Sequence, residues 1–155
     1  MPAKMLSPGD RAPEIRLPDL EGQPRSLAAL SGAKASLVVL FKIACPTCQF
    51  TLPFLDRMKA GALAVVGISQ DDPESTREFN QEFGVSFPTL IDAPAYAVSD
   101  AFRITHVPSL FVVETDGRIS WSGTGWSRQA IEELEKKAGV RVVREREFVP
   151  EWKSG

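Results

Sequence analysis

"FKIACPTCQF", residues 41–50, holds both cysteines of a 155-residue chain, two residues apart, with a proline directly after the first. The run leading into it, Ala35–Phe41 ("ASLVVLF"), is nearly continuously apolar, the pattern of a strand buried on both faces of a sheet. After it, Phe50, Leu52, Phe54, Leu55 and Met58 recur at roughly helical spacing. A helix is therefore expected from Pro46 to about Lys59, kinked at Pro53. The cysteines stand at a strand-to-helix junction. With Cys45 as N-cap and Pro46 at the first helical position, the Cys45 sulfur faces the unpaired N–H groups of the first turn. Those donors, with the positive end of the helix dipole, favour thiolate over thiol. Cys48 follows one turn later on the same face, within range of closing a disulfide with Cys45.

Outward from this junction the punctuation is regular. "SPGDRAPEIRLPDLEGQPRSLAALSG" gives two short extended pieces around a Glu21-Gly22 turn, then a one-turn helix from about Ser26 to Leu30. Residues 62–69 form a second buried strand. Asp72 as N-cap, Pro73 at the first helical position and Gly84 as the stop delimit a helix. A short strand over 88–91 and a helix over 95–102 come next. Asp116-Gly117 joins two strands as a hairpin, because this dipeptide supplies the positive backbone angles of a tight turn. Trp121 and Trp126 read as packing or edge groups at the far side of that hairpin. Residues 128–137 make the last amphipathic helix, closed by Gly139. Residues 140–155 read as an extended tail on the surface.

The order β, α, β, α, β, α, β, β, α implies a mixed α/β sheet, parallel first and antiparallel at the end, with helices on both faces. Its length suits one domain spanning 1–155. Chemistry in such sheets gathers at the carboxyl ends of the parallel strands, where Cys45 stands.

A formal net charge of -2 and a pI near 5.5 give no broad basic field, so binding to nucleic acid or to an anionic membrane is not expected. The N-terminal residues contain no apolar stretch of signal length, and a cytoplasmic setting follows unless an export signal has been removed, in which case the periplasm is open. A single cysteine pair in a reducing compartment is more often catalytic than structural. Structural zinc normally takes four Cys or His ligands, whereas this chain has only Cys45, Cys48 and its sole histidine, His106. No metal or other cofactor is expected. Two packed, unreactive thiols are the plain alternative. Lys42, at the strand end, is either a charge that tunes Cys45 or a solvated lysine; His106 is an ordinary surface or packed histidine, or a second tuning group.

Four stretches together resemble the thioredoxin-fold redoxins, the AhpC/TSA and TlpA-like thiol-disulfide oxidoreductases. They are "GDRAPEIRLPDLEGQPRSL", "CPTC", "SQDDPESTREFNQEFGVSFPTLID" and "HVPSLFVVETDGRI". The resemblance implies a thioredoxin fold with an N-terminal β-hairpin extension, and a redox-active Cys45–Cys48 pair with Cys45 as nucleophile and Cys48 as resolving thiol. It also implies a cis Val107–Pro108 bond and a groove formed by Pro108, Val107, Pro46 and Thr47 that receives an extended substrate. The implied partners are a protein carrying a disulfide or dithiol and an upstream donor such as a thioredoxin-reductase-like system. The sequence departs from the family in four places, the first being Pro46-Thr47 where thioredoxins have Gly-Pro. Ala44 replaces the usual tryptophan, Val39 the buried acid of thioredoxins, and Thr51 the glutamate of some TlpA-like proteins. A peroxiredoxin-like thiol peroxidase is a second reading. However, the PxxxTxxC pattern puts Lys42 at the threonine if Cys45 is the reactive cysteine, and Cys45 there if Cys48 is. A redox-inert or metal-carrying binding module is a third.

Overall fold

The computed structural model describes residues 4–155. In chain order its elements are β1 (Arg16–Pro18), β2 (Pro24–Ser26), α1 (Leu27–Ser31), β3 (Ala35–Phe41), α2 (Pro46–Met58), β4 (Leu63–Ser69) and α3 (Pro73–Phe83). They continue with β5 (Thr89–Ile91), α4 (Ala97–Phe102), β6 (Ser109–Val113), β7 (Ile119–Thr124), β8 (Trp126–Ser127), α5 (Arg128–Ala138) and β9 (Trp152–Lys153). The main sheet has the order β5-β4-β3-β6-β7, with β3, β4 and β5 parallel, β6 antiparallel to β3 and β7 antiparallel to β6.

β3 is the centre of this sheet, and its sequence shows why. Leu37, Val39 and Phe41 face one core with Leu52 and Leu55 of α2 and Leu134 of α5. Val38 and Leu40 face the other with Val98 and Phe102 of α4 and Ile15. All five strand residues are fully buried, so neither face of β3 tolerates a polar side chain. This is the thioredoxin fold, a mixed five-stranded sheet flanked by helices on both faces, with β1–β2 as an antiparallel hairpin ahead of it.

The helix signals have direct counterparts. Asp72 accepts from Ser75 N at 2.9 Å, and Gly84 closes α3 in the left-handed region at φ 67°. Gly117, at φ 87°, makes the hairpin turn, its N–H donating to Glu114 O. α2 runs unbroken through Pro53, which has no N–H to offer the Gln49 carbonyl one turn back.

Two expectations need correction. Trp126 lies on no far edge: it is fully buried on the α2 side of the sheet, 4.7 Å between ring centroids from Phe50 and 5.2 Å from Phe54. Nor is 140–155 simply a surface tail. Val142 is buried, Arg57 of α2 donates to its carbonyl at 2.6 Å, and β9 pairs antiparallel with β8. Arg57 also forms a two-pronged pair with Glu147 at 2.8 and 3.0 Å, which, with the Arg144 backbone N–H, holds the Glu147 carboxyl down to about 2. The contacts of this tail are distant in sequence and leave no local period.

Candidate active site at the start of α2

The chain leaves the carboxyl end of β3, turns through Lys42–Ala44 and enters α2. Cys45 is the N-cap, with extended backbone (φ -84°, ψ 115°), and Pro46 opens the helix. Proline suits this place because its missing N–H would have had no helical partner. Cys45 Sγ accepts from Cys48 N at 3.1 Å and meets the Val107 carbonyl at 3.5 Å. In a reduced pair this second contact is the thiol donating; once the proton leaves, the helix N–H remains to hold the sulfur.

The two sulfurs differ in environment. Cys45 is half-buried, whereas Cys48 has no exposed surface. Burial is the main cause pushing the Cys48 thiol far above the ordinary range, and the neighbouring Cys45 sulfur and the Asp71 charge push the same way. The backbone N–H of Lys42 acts in the opposite direction without overcoming them. At neutral pH Cys48 is a thiol.

Val107–Pro108 is cis, which turns the chain so that Val107 O faces Cys45 while Pro108 is buried. Pro46 is exposed. Thr47 Oγ1 donates to Ser154 O at 2.6 Å, a contact between the CPTC turn and the C-terminal tail that no local pattern announced. Lys42 and His106 are exposed and line, with Gln70 and Val107, a polar cleft of about 390 Å³ next to the cysteines. Neither side chain hydrogen-bonds to either sulfur; it is the Lys42 backbone that reaches Cys48. His106 Nδ1 instead shares a hydrogen bond with Thr105 Oγ1 at 2.8 Å. Among the described residues no group of three or more His, Cys, Asp or Glu is arranged to hold a metal ion. No helix among them is long and apolar enough to cross a membrane.

Asp71 is a residue that sequence reading passed over. It follows β4, accepts from Ile43 N at 2.8 Å, and its own N–H donates to Ser69 Oγ, which bonds in turn to Thr76 Oγ1. Gln49 Nε2 pins the other side of the turn through Ile43 O. The turn before Cys45 is thereby tied to β4, α2 and α3. Replacing Asp71 with alanine leaves Ile43 N without its charged acceptor and is expected to cost about 1–2 kcal/mol in urea unfolding. Asp71→Asn, which keeps an acceptor oxygen, should recover most of that loss. An outcome in which both variants unfold with the wild type would remove Asp71 from this role.

Thr51 is fully buried with its hydroxyl unpartnered. No carboxylate stands at that position or at Val39 to take a proton from Cys48.

The AhpC/TSA family model matches residues 8–122. A Mycobacterium tuberculosis protein (strain H37Rv), named by inference a peroxiredoxin, is 36% identical over 132 residues, covering 74% of this chain and 82% of that protein. The thiol:disulfide interchange protein HelX of Rhodobacter capsulatus is 29% identical over 113 residues, covering 72% of this chain and 64% of HelX. Among solved structures, the thioredoxin domain of a thiol-disulfide oxidoreductase from Bacteroides vulgatus superposes with a TM-score of 0.74 at 22% identity, covering 86% of this chain and 99% of that one. With a reduced cysteine pair at the mouth of α2 and a cis-proline loop beside it, the chain belongs to the AhpC/TSA family of thioredoxin-fold redox proteins.

Proposed function

We propose that this protein is a thiol-disulfide oxidoreductase in which Cys45 is the nucleophile, Cys48 the resolving thiol, and the Val107–Pro108 loop one wall of the substrate groove. The observation that carries this reading is the hydrogen bond from Cys48 N to the half-exposed Cys45 sulfur, with Cys48 itself buried behind it. The half-exposed sulfur has the helix N–H for its negative charge, whereas burial outweighs the Lys42 backbone N–H at Cys48 and keeps that thiol protonated.

In the first step the Cys45 thiolate attacks one sulfur of a substrate disulfide, forming a mixed disulfide and expelling the other substrate sulfur as a thiolate. In the second, Cys48 Sγ attacks Cys45 Sγ, closing the Cys45–Cys48 disulfide and releasing the remaining substrate sulfur. The Cys48 proton passes to a departing substrate thiolate or to water, since no carboxylate replaces Val39 or Thr51. Two electrons have then moved from the protein to its substrate. An upstream dithiol donor of the kind served by a thioredoxin-reductase-like system restores the pair. The partner is a disulfide- or dithiol-bearing protein, and a single cysteine pair of this kind fits a cytoplasmic setting.

A second reading, thiol peroxidase, draws on the peroxiredoxin name of the 36% identical relative. There Cys45 would take an oxygen from a hydroperoxide, become a sulfenic acid and release the alcohol; Cys48 would then expel water as the disulfide closes. Against it, Lys42 stands where peroxiredoxins resemble one another in a threonine.

Assays of the reduced protein against insulin disulfides and against hydrogen peroxide, with one common reductant, separate the two. Disulfide reduction well above that of the reductant alone, with peroxide consumed no faster than by a simple thiol, is expected. The reverse order would transfer the site to the peroxidase reading.

A further inference from the structure

The groove beside Val107 is already occupied by the chain itself. β9 lies against β8, with Trp126 opposite Lys153 and Ser127 opposite Trp152, and the segment then crosses to the CPTC turn. There Ser154 O takes the Thr47 hydroxyl at 2.6 Å. Gly155 lies so near the cis-proline loop that a Cβ on it would come within 2.9 Å of Val107 O and 3.3 Å of Gly125 N. Lys153 Nζ sits 5.3 Å above the centre of the Phe50 ring. Residues 152–155 thus touch Val107 and Thr47, both of which border the nucleophile. Yet all four residues are exposed, and their hold is a two-residue ladder, one hydroxyl bond and one cation over a ring. Another extended strand making equivalent backbone bonds can displace such a contact. What stays open next to the strap is the polar cleft of about 390 Å³ between Lys42, Gln70, His106 and Val107, bordered by Gly155.

We propose that residues 152–155 are a specificity strap, lying where an extended polypeptide substrate would lie. With the strap down the site admits small disulfides; a protein disulfide reacts only when the strap lifts. This inference rests on Cys45 being the nucleophile. The physical consequence is a reduced apparent affinity for polypeptides alone, scaled by the fraction of molecules with the strap lifted.

The test is removal of residues 152–155. The cut keeps Glu151 O, which accepts from Arg128 N, and Pro150 O, which accepts from Trp126 Nε1, so these two anchors of the tail survive. Rate constants for the reduced full chain and the shortened chain are measured with insulin and with bis(2-hydroxyethyl) disulfide. For a strap that is down about nine-tenths of the time, the insulin rate rises about tenfold on removal, while the small disulfide changes by less than about twofold. Thr47→Val, which removes only the hydroxyl bond to Ser154, should raise the ratio of insulin to small-disulfide rates in the same direction by a smaller factor. A ratio unchanged in both variants would overturn the strap while leaving Cys45 chemistry intact. Failure of the small disulfide to react with the full chain would instead remove the nucleophile reading, and the strap with it.

Discussion

Cys45→Ser lowers disulfide reduction to the uncatalysed background, a loss on the order of 10⁴-fold or more. A serine hydroxyl at the N-cap still accepts from Cys48 N, so the helix start is preserved and the fold with it. What disappears is the half-exposed thiol of the pair. Cys48 cannot substitute, because it is buried and its thiol is held far above the ordinary range by that burial. The same variant treated with iodoacetamide should therefore stay unmodified at pH about 8.5, where a free thiol is half ionised. Rapid alkylation of Cys48 there would mean that its burial in this structure does not persist in solution.

Trp126→Ala is the second large effect, an expected loss of about 3–5 kcal/mol in stability measured by denaturant unfolding. Three interactions end together. The indole packs edge-on against Phe50 and beside Phe54, on the helix that carries the cysteines. Its Nε1 donates to Pro150 O at 2.6 Å, tying the tail to the strand pair. Arg57 over Phe54 and Lys153 over Phe50 flank the same aromatic group. Trp126→Phe keeps most of the packing and gives up the hydrogen bond, so about 1–3 kcal/mol should be lost, chiefly from the half-buried Pro150 carbonyl left unpaired. If alanine costs no more than a surface substitution, the aromatic cluster does not hold α2 against the tail.

Local chemistry made some of this molecule readable in advance. An apolar run such as Ala35–Phe41 can only be a strand covered on both sides, and a Cys-Pro pair directly after it can hardly be anything but a helix start. Asp72-Pro73 and Asp116-Gly117 carry their geometry in two residues each. Trp126 belongs to no such run: β8 is two residues long, between Gly125 and the start of α5, so no period marked it as core. The Thr47–Ser154 bond joins residues 107 apart, and Asp71 reaches Ile43 across 28. Contacts of that kind are set by how strands and helices stack, which no window of adjacent residues records. The site shows the same division, since the two sulfurs were visible in CPTC while the tail lying across their groove was not.

The roles of those sulfurs can be separated in one measurement. The Cys48→Ser protein, reduced and mixed with a disulfide-bonded substrate, should accumulate a mixed disulfide that mass spectrometry of its peptides places on Cys45, stable because no resolving thiol remains. Recovery of the variant with Cys45 free and no trapped partner, while the wild type turns the same substrate over, would contradict the assignment of Cys45 as the attacking thiol.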